Sequence, residues 1–137
     1  MPLTEPEDIE KLLRETRVIA MVGLSPKPER PSNIVARFML AHGYDVIPVN
    51  PGFAEILGRP CYRDLAAIPR PVDMVDVFRK SEEVPPIAEA AVRIGAKSLW
   101  LQLGVINQQA AALAEAAGLR VVMDRCLKIE YGKHFAA

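Results

Sequence analysis

The sequence predicts a single-domain α/β protein, a doubly wound five-stranded parallel sheet, and three observations carry that prediction. Short apolar runs alternate with helix-length amphipathic segments along the chain. Three of those helices stop at a glycine that precedes a strand: Gly43-Tyr44, Gly95-Ala96 and Gly118-Leu119. The first apolar run, Val18-Ile19-Ala20-Met21-Val22, breaks at Gly23 into a polar loop that leads to a further helix. Apolar strands separated by helices imply a parallel sheet covered on both faces and joined by right-handed crossovers. A glycine past the last helical turn takes the left-handed conformation that turns the chain back. A barrel of eight such units needs far more than 137 residues.

The elements follow in order. Glu5 to Thr16 has Ile9, Leu12 and Leu13 on one face and Thr4 as the expected cap. The first strand covers about Arg17 to Leu24. Ser32 to His42 reads as a helix with Val35, Phe38 and Met39 on its apolar side. Asp45 to Asn50 is the second strand, and Val72 to Phe78 the third, entered through Pro69 and Pro71. Glu83 to Ile94 is helical, with Pro85 and Pro86 tolerated in its first turn. Ser98 to Leu103 is the fourth strand, Asn107 to Ala117 an Ala-rich helix, and Leu119 to Met123 the fifth strand. Cys126 to Gly132 makes a last short helix.

The totals exclude several functions. Seventeen acidic and seventeen basic residues balance, so no overall field draws the chain to nucleic acid or an anionic membrane. No apolar run is long enough to span a bilayer. The acidic N-terminus does not resemble a secretion signal, and Cys61 and Cys126 form no CxxC, so a reducing cytoplasmic setting is expected.

In such a sheet, ligands bind beyond the carboxyl ends of the strands, where the order of connections reverses. There the strand, Gly23 and the helix beginning near Ser32 make a phosphate site the first expectation. Helix N-terminal amides have no partner within the helix, Gly23 permits close backbone approach, and Ser25 and Ser32 carry hydroxyls. The loops at this edge gather Lys27, Arg30, Arg59, Arg79 and Lys80, with Glu29, Glu55, Glu82 and Glu83 among them. A nicotinamide dinucleotide fits less well. The loop Gly23-Leu24-Ser25-Pro26-Lys27-Pro28 lacks the later glycines of G-x-G-x-x-G, and Asn50 stands where an NAD protein offers a carboxylate to the ribose.

Catalytic equipment is thin. His42, one residue before Gly43, belongs at the opposite edge, and His134 lies in an expected frayed tail. No metal motif is present. Cys126 falls at the ligand edge as a packing residue or a thiol nucleophile, Trp100 reads as core, and Tyr131 as a cover over the end of the sheet.

With Gly23-Leu24-Ser25, Pro48-Val49-Asn50-Pro51 and Val75-Asp76-Val77-Phe78-Arg79 in place, the chain resembles the CoA-binding domain family. These are small stand-alone Rossmann-like proteins similar to the N-terminal domain of the succinyl-CoA synthetase α subunit. Further matches run from Glu55 to Tyr62, Trp100 to Gly104, and Met123 to Glu130, covering essentially everything beyond the first helix. The resemblance implies a small-molecule ligand, coenzyme A or an acyl-CoA, lying along the carboxyl edge with its phosphates near the first loop. The positions it marks are Ser25, Pro26 and Lys27; Asn50 and Pro51; Phe78, Arg79, Lys80 and Ser81; and Gln102, Leu103 and Gly104. Gly23, Arg30 and Ser32 join them from the helix-N-terminus argument. The first loop departs from the synthetases' G-x-T-G-x-Q-G in having Pro26 and Pro28, and no segment resembles their ligase domain. The expectation is thus a binding protein without complete catalytic machinery. Two alternatives remain from the residues: an NAD(P)-linked oxidoreductase or Cys126-dependent acyltransferase, and a CoA-sensing subunit that reports to a protein partner.

Overall fold

Five parallel strands run through the middle of the computed structural model, which describes residues 1–135. In chain order the elements are α1 (Pro6–Glu15), β1 (Val18–Val22), α2 (Pro31–Ala41), β2 (Asp45–Val49), β3 (Glu55–Ile56), β4 (Arg59–Pro60), β5 (Met74–Val77), α3 (Val84–Arg93), β6 (Ser98–Leu101), α4 (Gln108–Ala116), β7 (Arg120–Val122) and α5 (Leu127–Phe135). Short 3₁₀ turns at Leu65–Ala67 and Ser81–Glu83 interrupt the loops before β5 and α3.

The sheet order is β2-β1-β5-β6-β7, every pairing parallel. Side chains alternate across a strand, and here both faces are buried. Ala20, Val22, Val75, Val77, Leu99 and Leu101 pack under α3 and α4. Ile19, Met21, Met74, Trp100 and Val122 pack under α1, α2 and α5. Trp100 is fully buried, as expected of a core residue, and its indole N–H donates to the Arg125 carbonyl at 2.8 Å. Gly43, Gly95 and Gly118 each take positive φ directly after a helix, which is the chain reversal their positions predicted.

Several boundaries differ from the sequence reading. Most strands are shorter by a residue or two at each end, because the last expected residues already serve the loops. Pro31, not Ser32, opens α2, since a proline in a first helical turn gives up no N–H that the helix could use. The cap expected at Thr4 is absent: Glu5 holds that position without a side-chain cap bond, and Pro6 starts the helix. The β3–β4 hairpin was not foreseen. His134 is not in a frayed tail; it lies in α5, its side chain 11% exposed, with Nδ1 3.6 Å from Glu10 of α1. Tyr131, expected over the end of the sheet, joins an aromatic cluster with Phe38, His42, Tyr44 and Phe135 beside the start of β2.

Candidate functional site

The order of connections reverses between β1 and β5. From β1 the chain goes through α2 to β2 on one side, then returns to place β5 on the other. The crevice beyond the carboxyl ends of this strand pair is the switch point of an open α/β sheet.

Gly23 lines that crevice, with φ +88° and its N–H bonded to the Val49 carbonyl at 2.9 Å. A Cβ built on it would lie 2.5 Å from the Phe78 carbonyl oxygen, so the loops after β1 and β5 touch through backbone. The first loop then ties itself together. Ser32 Oγ accepts from the Ser25 N–H at 2.9 Å, Asn33 Nδ2 donates to the Ser25 carbonyl at 2.9 Å, and Ser25 Oγ accepts from the Lys27 N–H at 3.1 Å. Ser32 and Asn33 are buried. The oxygens of Ser25 and Ser32 therefore hold the loop in shape. Pro26, Lys27 and Arg30 stay exposed on its outer surface.

Asn50 clamps the neighbouring loop to this one. Its Nδ2 donates to the Leu24 carbonyl at 3.0 Å and its Oδ1 accepts from the Gly52 N–H at 3.2 Å. Ser81 and Asn107 link the loops after β5 and β6: Ser81 Oγ accepts from the Ile106 N–H at 2.9 Å, and Asn107 Nδ2 donates to the Ser81 carbonyl at 2.9 Å. Asn107 also caps α4 by accepting from the Ala110 N–H. Gln102 is buried, and its Oε1 accepts from the Leu127 N–H at the start of α5. Gly104, with φ +86°, donates its N–H to Asp124 Oδ1 at 2.7 Å.

Two of the clefts at this edge meet at Arg79, one on each face of the sheet. The larger, about 640 Å³, lies between α2, α5 and the loops after β5 and β6; Val35, Phe78, Lys80, Leu103, Cys126 and Ile129 are among its walls. The smaller, about 270 Å³, is bounded by Val49, Pro51, Arg63, Leu65 and Ile87. Arg79 lines both. Lys80 and Glu83 sit together at the larger cleft, where the Glu83 carboxylate also accepts from the Lys80 N–H.

Ten of the fifteen residues named from sequence line a cleft or bond another part of the edge loops through their side chains, beside Gly23 in the crevice: Ser25, Ser32, Asn50, Pro51, Phe78, Arg79, Lys80, Ser81, Gln102 and Leu103. Gly104 joins them through Asp124. Pro26, Lys27 and Arg30 line neither cleft. Arg59 departs from the expectation: its guanidinium reaches 2.6 Å from Asp45 at the start of β2, away from the ligand edge. Arg70 binds the same carboxylate, and the two arginines hold Asp45 below the usual carboxylate range. Asn33, Asn107 and Asp124 went unnamed as site builders; only Asn107, directly before an Ala-rich helix, carried a capping signal.

Asp76 in β5 is fully buried, one residue from the end of the strand, and neither carboxylate oxygen has a hydrogen-bond partner among the described residues. Burial drives its carboxyl well above the usual range, and the adjacent Val77 amide opposes this only in part.

These features define an α/β protein with a ligand-sized concavity at the switch point of a parallel sheet. Comparison with known proteins gives the family. The CoA binding domain model matches residues 17–132, and the chain belongs to that family. It is 39% identical over 124 residues to YneT of Bacillus subtilis, whose role is uncharacterised, covering 90% of this chain and 92% of YneT. It is 26% identical over 121 residues to the ADP-forming acetate–CoA ligase I of Archaeoglobus fulgidus, covering 81% of this chain but 18% of the ligase. A hypothetical protein from Pyrococcus horikoshii superposes with a TM-score of 0.95 at 41% identity, over 99% of this chain and 97% of that one. Among the described residues, no helix is long and apolar enough to cross a membrane.

Proposed function

We propose that residues 1–137 act as one domain that binds coenzyme A or an acyl-CoA at the carboxyl edge of the sheet, without complete catalytic machinery of its own. One observation carries this reading: Arg79 stands at the switch point between two clefts, in a chain of the CoA-binding domain family. CoA is long and carries phosphates at its nucleotide end, which suits a cation set at the junction of two concavities. The exposed Lys27 and Arg30, outside the two clefts, offer further cations beside the α2 N-terminus. Gln102, Asn50 and Ser81 act as positioning residues that hold the walls. Both cysteines are free thiols, which fits a cytoplasmic protein.

Isothermal titration with CoA, acetyl-CoA, NAD and NADP tests the proposal. Binding of CoA or acetyl-CoA, with neither dinucleotide bound, is expected. Binding of NAD or NADP without CoA overturns it.

A further inference from the structure

The exposed apolar side chains are not scattered. Apart from the N-terminal Met1, the large hydrophobic residues exposed among the described residues are Ile34, Phe53, Leu103, Ile106 and Ile129. All five lie on segments at the carboxyl edge: the first turns of α2 and α5 and the loops after β2 and β6. Leu103 is 66% exposed and Ile129 53%. Single exposed hydrophobes need no explanation, but their concentration at one rim does.

Two of them stand where the larger cleft continues. A neighbouring concavity of about 340 Å³ shares Leu103, Cys126 and Ile129 with it. The larger cleft has Arg79, Lys80 and Glu83 toward the β5 side and Leu103, Cys126 and Ile129 as an apolar wall toward α5; beyond that wall the neighbouring concavity turns charged, at Asp124, Arg125, Glu130 and Lys133. A ligand that fits the larger cleft carries anionic groups at one end and an apolar group at the other.

Resting on the CoA reading above, we propose that the preferred ligand is an acyl-CoA whose hydrocarbon acyl chain lies against Leu103 and Ile129, in place of the free thiol. The layout of the larger cleft favours this over a protein partner, because Arg79, Lys80 and an apolar wall share one concavity of small-molecule size.

Titration calorimetry with CoA, acetyl-CoA and octanoyl-CoA tests the inference. Octanoyl-CoA should bind about tenfold or more tightly than CoA, a gain that corresponds to burying roughly two methylene groups. Ile129→Ser, an exposed substitution checked for folding by circular dichroism, should reduce that ratio to below about threefold. Tight CoA binding with no gain for octanoyl-CoA overturns the inference and leaves the CoA reading standing. An unchanged ratio in Ile129→Ser overturns the placement of the chain. Failure of all three ligands to bind overturns the CoA reading itself. Light scattering supplies the remaining outcome: a dimer that Ile129→Ser converts to monomer, with no acyl preference, makes the rim an interface between copies and overturns the inference.

Discussion

The Phe78 carbonyl oxygen sits 2.5 Å from where a side chain on Gly23 would begin. No real Cβ tolerates that distance, and the obstacle is backbone, which cannot swing aside. Gly23 also has φ +88°, which an L-residue adopts only under strain. Gly23→Ala is therefore expected to cost about 1–3 kcal/mol for the backbone conformation alone, with a further loss from displacing the Phe78–Arg79 segment. Urea unfolding measures the first effect and CoA titration the second. A variant of wild-type stability contradicts the contact.

On the CoA reading, Arg79, which lines both clefts, is the cation best placed for the phosphates. Arg79→Ala should weaken CoA binding by about 1–3 kcal/mol, and the loss should shrink at high salt. Equal affinities for variant and wild type at low salt place the phosphates elsewhere.

Asp76 makes folding pH-dependent. Its carboxyl is raised well above the ordinary 3.8 by burial, whereas in the unfolded chain it ionises near that ordinary value. The folded protein keeps a proton that the unfolded chain releases. This contribution is complete below the unfolded value and is lost as pH rises toward the folded one, with a slope of about 1.4 kcal/mol per pH unit for one proton. Asp76→Asn removes the titration, so its urea midpoint should gain on wild type as pH rises from about 4 to about 8. Midpoints that stay parallel across that range rule out the proton.

The wall formed by α5 depends on Gln102. Replacing it with Met keeps the volume but leaves the buried Leu127 N–H without an acceptor, for an expected cost of about 1–3 kcal/mol. Hydrogen exchange should then quicken at the start of α5 before it does in β6. Uniform change across the protein argues against a local role.

Much of this was legible in the residues. Element order, the parallel sheet and the ligand edge follow from apolar periodicity and from Gly43, Gly95 and Gly118, because those signals are local. The hairpin at 55–60 was not, since strands of two residues have no period to detect. Arg59 and His134 were misplaced for a different reason. Where a long side chain points depends on a distant partner, Asp45 for the first and Glu10 for the second, and neither is visible from its neighbours in sequence. The sequence offers the Ser25 and Ser32 hydroxyls as ligand donors; that their oxygens also accept from the loop's own amides, while the protons remain to donate, shows only in the structure. Composition reveals that a polar group is present, but not what already occupies it.

That self-bonded first loop has a thermodynamic consequence. A glycine-rich turn must be frozen when an anion arrives, and the lost freedom subtracts from affinity. Here two prolines and the Ser25–Ser32–Asn33 ties have met that cost during folding. If CoA binds as proposed, its capture should therefore draw on a pre-formed rim, with little slowing from loop rearrangement and modest dependence of the association rate on temperature.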